Sequence, residues 1–203
     1  MSIYIELAGT ELVMNREDTP PQGISLSSTI DEIIDKHNAF LKEHLTVIHK
    51  LAIRVAAVHG IENPSLEKMA SSIGVLKAEL EQHMHKEEKV LFPMIRDLDR
   101  GVLPLSSVRG PINVMFLEHE EFTENLANIR ILNDPMKEAL YSCEDYLLLV
   151  DELTVLEKNL GEHIAKENQF LFPSSIERQN QITEGIEMAR LASGQSEFQE
   201  TEG

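Results

Sequence analysis

The stretch HMHKEEKVLFP at residues 83–93 returns eighty residues later as HIAKENQFLFP at residues 163–173. The shared frame is HxxKExxxLFP, and a weaker echo pairs HNAF at His37 with HEEF at His119. A chain that repeats a frame of this kind is limited to arrangements in which two similar units meet. Each unit alone would leave an apolar stripe in water, so two helical hairpins packed about a pseudo-two-fold axis are expected, making an all-α four-helix bundle.

Punctuation along the chain marks the four helices. The first runs from Leu26 to a stop at Gly60, with Thr29 and Glu32 spaced as a capping box. The second follows Pro64 with Ser65 as its N-cap and ends near Gly101, with Pro93 kinking it or starting its termination. The third spans Gly110 to Leu132, and the fourth opens with Asp134 as N-cap and Pro135 at the first helical position, then runs to Ile176. This divides the chain into an irregular segment 1–27, a bundle 28–176, and a C-terminal piece 177–203 with a short helix around Thr183–Leu191 and an acidic tail.

Composition agrees with helices. Aromatics make up only 5% and tryptophan is absent, while hydrophobic residues reach 42%, a mix dominated by helix formers. The formal net charge of −17 repels nucleic-acid phosphate and anionic membrane surfaces, so no nucleic acid and no membrane are expected as partners. Cys143 is the single cysteine, which excludes an internal disulfide, a thiolate zinc site and an iron–sulfur cluster held by this chain alone. The N-terminus has no basic segment followed by an apolar run, and no stretch is apolar enough to span a bilayer. A cytoplasmic location is the expectation.

Residues four apart share a helix face, so His83 pairs with Glu87 and His163 with Glu167. One turn further, at Leu91 and Leu171, the same face becomes hydrophobic. The pairs therefore point inward beneath a dry layer, where a carboxylate without compensation is costly to keep charged. With His37 from the first helix and His119 from the third, every helix contributes to one interior site of four imidazoles and two carboxylates. That inventory suits two transition-metal ions bridged by the carboxylates and a solvent oxo or hydroxo group, with a coordination position left open. For a single HxxxE pair a solvated helix face is the better reading; two copies in one frame reverse it. His44, His49, His59 and His85 lie outside the repeat and are expected to be structural or solvent-facing, as are Glu88, Asn168, Glu120 and Glu121. Cys143 and Tyr146 are expected to be packed.

His37, HMHKEE, His119 and HIAKEN, each HxxxE followed by Leu-Phe-Pro, resemble the hemerythrin-like family with the HHE cation-binding domain, over roughly residues 29–176. Within it the chain is most similar to the di-iron proteins for repair of iron centres. The resemblance implies two non-haem iron ions, oxo- or hydroxo-bridged, with His37 and His83 on one iron, His119 and His163 on the other, and Glu87 and Glu167 as bridges. It also implies iron–sulfur proteins as clients and dioxygen or nitric oxide as small ligands. Two departures stand out. Oxygen-carrying hemerythrins place a fifth histidine one turn after the third-helix histidine, where this chain has Thr123. Many repair proteins have an N-terminal domain with adjacent cysteines; no cysteine precedes helix one here, so that contribution is expected to be absent or supplied by another chain.

The resemblance implies repair of iron–sulfur clusters after oxidative or nitrosative damage, through iron donation or nitric oxide handling. A carrier or sensor that binds dioxygen or nitric oxide is the alternative. A redox enzyme acting on nitric oxide or peroxide is a third class, and nothing in the sequence identifies an electron-donor site for it.

Overall fold

The computed structural model describes residues 25–132 and 143–196. Four helical rods account for nearly all of them, and no strand occurs among the described residues. Rod one joins α1 (Leu26–Glu32), a π turn (Ile33–Asn38) and α2 (Ala39–His59). Rod two joins α3 (Ser65–Lys86), a π turn (Glu87–Leu91) and α4 (Phe92–Asp99). Rod three is α5 (Arg109–Leu132), and rod four joins α6 (Glu144–Lys166), a π turn (Glu167–Leu171) and α7 (Phe172–Ser196). Rod one packs against rods two and four, and rod two against rod three. Since α1 meets α4, the first two rods run antiparallel, as their short link requires. The all-α bundle expected from the repeat is the fold.

Helix ends differ in detail from their sequence signals. Rod one starts a turn earlier than the Thr29–Glu32 capping box implies, because Ser25 is the N-cap and its hydroxyl accepts the Ser28 N–H at 3.0 Å. Thr29 instead lies inside the helix and donates its hydroxyl to the Ser25 carbonyl at 3.2 Å. Pro64, not Ser65, flanks α3; Ser65 is the first helical residue, and its hydroxyl donates to Asn63 Oδ1 at 2.6 Å. Gly60 follows α2 as expected, with an ordinary right-handed backbone. Gly101 ends rod two at φ 79°, where a β-carbon would be strained, and its N–H bonds the Leu98 carbonyl at 2.9 Å. The Asp134–Pro135 signal lies outside the described residues.

Rod four continues unbroken from Phe172 to Ser196, so the short separate helix at Thr183–Leu191 is part of a longer one that crosses the expected boundary at 176. No proline follows Pro173 in it, and Gly185 in its middle costs only about 1 kcal/mol.

Two apolar cores fill the bundle. The larger includes Leu41, Leu45, Ile73, Leu80, Leu156 and Leu160. The smaller includes Ile30, Ile33, Ile112, Leu171 and Phe172, with Leu91 and Phe92 from the first copy of the frame. Each fully buried Leu, Ile or Phe contributes about 1.5–3 kcal/mol. The polar frame residues fall between the two clusters, since Leu80 precedes His83 and Leu91 follows Glu87 along one rod. Among the described residues no helix is long and apolar enough to cross a membrane.

Candidate metal centre

Three of the six candidate ligands lie in π turns. Glu87 and Glu167 each open one, and His37 lies in the turn of rod one. In rods two and four the cause is the proline of the frame. Pro93 and Pro173 have no N–H to give and would crowd the carbonyl four residues back. One turn upstream the ladder widens, and the N–H groups of Phe92 and Phe172 reach five residues back to the carbonyls of Glu87 and Glu167. The rod thereby runs on past Pro93 to Asp99. Turns of this kind recur at functional sites; sequence spacing alone did not reveal them.

His83, Glu87, His119, His163 and Glu167 converge until one ligand atom from each lies within 4.8 Å of all the others, and all five are buried. His37 is buried beside them, with its ring centroid 5.8 Å from that of His163 and nearly perpendicular to it. It stands outside the tight group of five. His83 and His119 are closer, with centroids 4.9 Å apart and Nε2 atoms 3.2 Å apart. Ring proximity thus groups His83 with His119 and His37 with His163, across the hairpins and not within them. Glu87 Oε1 lies 3.2 Å from His83 Nε2 and 3.7 Å from His163 Nε2, while Glu167 Oε2 lies 3.2 Å from both His119 and His163 Nε2. Each glutamate therefore touches one ring from each group.

The outer shell holds three of the imidazoles by Nδ1. His83 meets Glu118 Oε2 at 2.8 Å, His119 meets Asn168 Oδ1 at 2.9 Å, and His37 meets Asn159 Oδ1 at 3.3 Å. An acceptor on Nδ1 keeps the proton there and leaves Nε2 as the inward donor, the usual support of a metal-bound histidine. His163 Nδ1 finds no hydrogen-bond partner among the described residues. Phe172 stacks nearly parallel to His119, and Phe122 lies edge-on to His83, closing the site to water on those sides.

Four oxygen atoms, both from Glu87 and both from Glu167, are buried without a hydrogen bond, and so are both ring nitrogens of His163. Two bare carboxylates in an apolar interior demand cations. In the metal-free protein protons fill part of that role. Burial opposes charging of His83, yet the negative charge of Glu87 and the hydrogen bond to Glu118 outweigh it and raise its pKa to about 9. Burial likewise opposes charging of His163, and Glu167 with Glu87 raises it to about 10. Glu87 is held well below the usual carboxylate range: burial pushes it up, and the charges and contacts of His83 and His163 overcome that. Burial lowers the pKa of His37, against the pull of its Asn159 bond. Imidazole and carboxylate donors of this number fit a pair of transition-metal ions without any thiolate.

The residues set aside on sequence grounds fall elsewhere, with two exceptions in role. His85, Glu120 and Glu121 are exposed, and His49 and His59 are partly buried away from the cluster. His44 stacks on Phe40 and its Nδ1 meets Glu152 at 2.6 Å. Tyr146 is in the larger core and Cys143 packs against it. Asn168, expected to be solvated, is instead the acceptor that orients His119. Glu88, its counterpart in the repeat, accepts from Lys42 at 2.7 Å and from Asn38 at 3.2 Å. Glu118, Asn159 and Asn168 leave no signal in the sequence, because a side chain that accepts from a histidine Nδ1 has no fixed spacing from the ring it holds. Thr123 donates its hydroxyl to the His119 carbonyl at 2.9 Å, where an oxygen carrier has a further imidazole.

Residues 29–175 match the Hemerythrin HHE cation binding domain. The chain is 33% identical over 152 residues to the iron-sulfur cluster repair protein YtfE of Yersinia pseudotuberculosis serotype IB (strain PB1/+), covering 74% of this chain and 66% of that protein. It is 31% identical over 175 residues to the protein of the same name from Enterobacter sp. (strain 638), covering 86% of this chain and 76% of that one. The match to the Yersinia protein thus leaves about a third of that relative's length uncovered. The chain belongs to the hemerythrin HHE cation-binding family, and non-haem di-iron is the cofactor that goes with its buried histidine–glutamate cluster.

Proposed function

We propose that this protein restores iron–sulfur clusters damaged by oxidative or nitrosative stress, acting in the cytoplasm on iron–sulfur proteins by supplying iron or handling nitric oxide. Its two irons are held by His37 and His83 on one side and His119 and His163 on the other, with Glu87 and Glu167 as bridges, the pairing implied by the resemblance. A bridging carboxylate gives one oxygen to each ion. Glu167 Oε2, 3.2 Å from Nε2 of both His119 and His163, suits the second ion, and Glu87 Oε1, nearer His83 at 3.2 Å than His163 at 3.7 Å, suits the first.

When bound, the iron pair supplies redox chemistry and an open position for a small ligand. The chain's own contribution is orientation and exclusion of water. Glu118, Asn168 and Asn159 aim three imidazoles inward, and the Leu91–Phe92 and Leu171–Phe172 layers keep one end dry. The observation that supports repair over carriage is Thr123, whose hydroxyl is committed to the His119 carbonyl, so the half with His119 has no extra imidazole to retain its metal through repeated ligand cycles.

The test is transfer. Protein loaded with iron and reduced without air is mixed with a purified apo iron–sulfur enzyme, and recovery of that enzyme's activity is followed with the iron content of both. Repair requires recovery together with loss of iron from the donor. Reversible dioxygen binding over many cycles, with both irons kept and no recovery, would establish the carrier alternative instead.

A further inference from the structure

The repeat sets Phe40 and Phe122 at the same point, each three residues after a candidate ligand histidine, yet the two rings have different neighbours. Phe122 is buried and lies edge-on to His83, with ring centroids 5.0 Å apart. Phe40 is half-buried and stacks instead on His44, at 3.8 Å and 18° from parallel. His44 is held from rod four, where Glu152 Oε2 meets its Nδ1 at 2.6 Å. The step from His37 to His119 carries His44 to Leu126, and the eighty-residue step carries Glu152 back to Ser72. The other half therefore has no such pair to draw Phe122 outward.

The consequence falls on His163, the ring that Phe40 would cover as Phe122 covers His83. Among the described residues the rings beside His163 are those of His37, His83 and His119, and its Nδ1 has no hydrogen-bond partner. His37, on the same side, is 5% exposed, against 2% or less for the other five. Solvent thus comes nearest to the centre at the seam between rods one and four, where no phenylalanine closes it.

We infer that this seam, beside His37 and His163, is the route by which a small uncharged diatomic ligand reaches the centre, and that Phe40 gates it. This rests on the small-ligand part of the function proposed above. Parked on His44, the Phe40 ring leaves the route free; turned inward as Phe122 is, it covers His163 and closes it. The His44–Glu152 pair fixes the parked position. Phe40 packs against the larger core, so a neutral molecule slips past it without the loss of hydration that an ion would suffer. Glu152, and Glu162 whose charge bears on His37, set negative charge on the seam and turn anions away.

The experiment mixes the reduced two-iron protein with nitric oxide in a stopped-flow spectrometer and reads association, dissociation and equilibrium binding. A gate changes both rates by one factor and leaves affinity alone. Phe40→Ala should speed both several-fold, and Phe40→Trp should slow both. His44→Leu, which copies Leu126, removes the platform and should slow both by letting Phe40 turn inward; Glu152→Ala should do the same to a lesser degree. Iron content should match the wild type in all four variants. A second measurement needs no metal. The chain has no tryptophan of its own, so metal-free Phe40→Trp and Phe122→Trp each carry a single reporter, and dissolved dioxygen should quench the first more strongly than the second. Unchanged rates or lost iron in the Phe40 variants, a changed affinity at constant association rate, or the reverse order of quenching overturns the inference. Two-iron protein that binds no nitric oxide overturns it together with the small-ligand part of the proposed function, while transfer of iron to an apo enzyme decides the repair reading separately.

Discussion

His83 and His119, on rods two and three, face each other nitrogen to nitrogen at 3.2 Å. With Nδ1 of each ring engaged by an outer acceptor, both Nε2 atoms are aimed at the same interior space, where one ring would serve each of two adjacent ions. His83→Ala and His119→Ala should therefore each lower bound iron by about one ion, and the double variant should lose both. Metal analysis of the purified variants measures this. A double variant that loses no more than either single one would mean that the two rings share an ion.

Glu87 lies beside rings of rods two and four and Glu167 beside rings of rods three and four, the positions from which they would bridge two ions. Glu87→Ala and Glu167→Ala should reduce iron content further than any single histidine variant. Glu88→Ala, His85→Ala and His49→Ala should bind iron as the wild type does, since these residues lie outside the buried cluster. Equal losses across all five would remove the bridging assignment.

Stability of the metal-free protein should depend on pH in a definite direction. His83 and His163 have folded-state pKa values of about 9 and about 10, above their ordinary 6.5. A raised imidazole pKa adds stability that is complete below pH 6.5 and is lost as pH climbs through the folded values. Glu87, held below 4.5, adds stability present above that pH and lost on acidification. The metal-free melting temperature should thus fall from about pH 7 to about pH 10, while the iron-loaded protein, whose imidazoles are engaged as ligands, escapes that fall. Melting curves of both forms across this range check it; a metal-free form that gains stability with alkali would contradict the proton-filled site.

Phe172 is fully buried and stacks on His119 with ring centroids 6.0 Å apart. Phe172→Ala should cost about 3–5 kcal/mol in denaturant unfolding of the metal-free protein. Val58→Ala, at an exposed position, should stay within about 0.5 kcal/mol. Comparable costs at the two sites would mean that the smaller core is loosely packed.

The repeat made the bundle and the convergence of its buried histidines and glutamates legible in the sequence, because i,i+4 geometry on a helix is rigid and a frame used twice cannot easily be accidental. Helix starts were less legible. Thr29 and Ser65 have cap chemistry, but Ser25 and Pro64 reach the flanking position first. Which rings lie nearest escaped the sequence for a different reason: His37 and His163 are brought together by packing of rod one on rod four, and no spacing encodes which rods touch. Asn168 shows the same limit from the outside, since it looks like a lapsed copy of Glu88 until His119 is seen beside it.

The π turns at Glu87–Leu91 and Glu167–Leu171 begin at the same point of the repeated frame. A turn of this type holds one residue more than a continuous α-helix, and everything beyond it is rotated by about 100° relative to the uninterrupted path. Removing a single residue from either segment would let the turn close into plain α-helix with Leu91 and Phe92, or Leu171 and Phe172, still facing the core. What the rod would lose is the widened turn that opens at Glu87 or Glu167. The extra residue therefore serves the carboxylate that begins the turn, and the packing beyond it is indifferent to its presence.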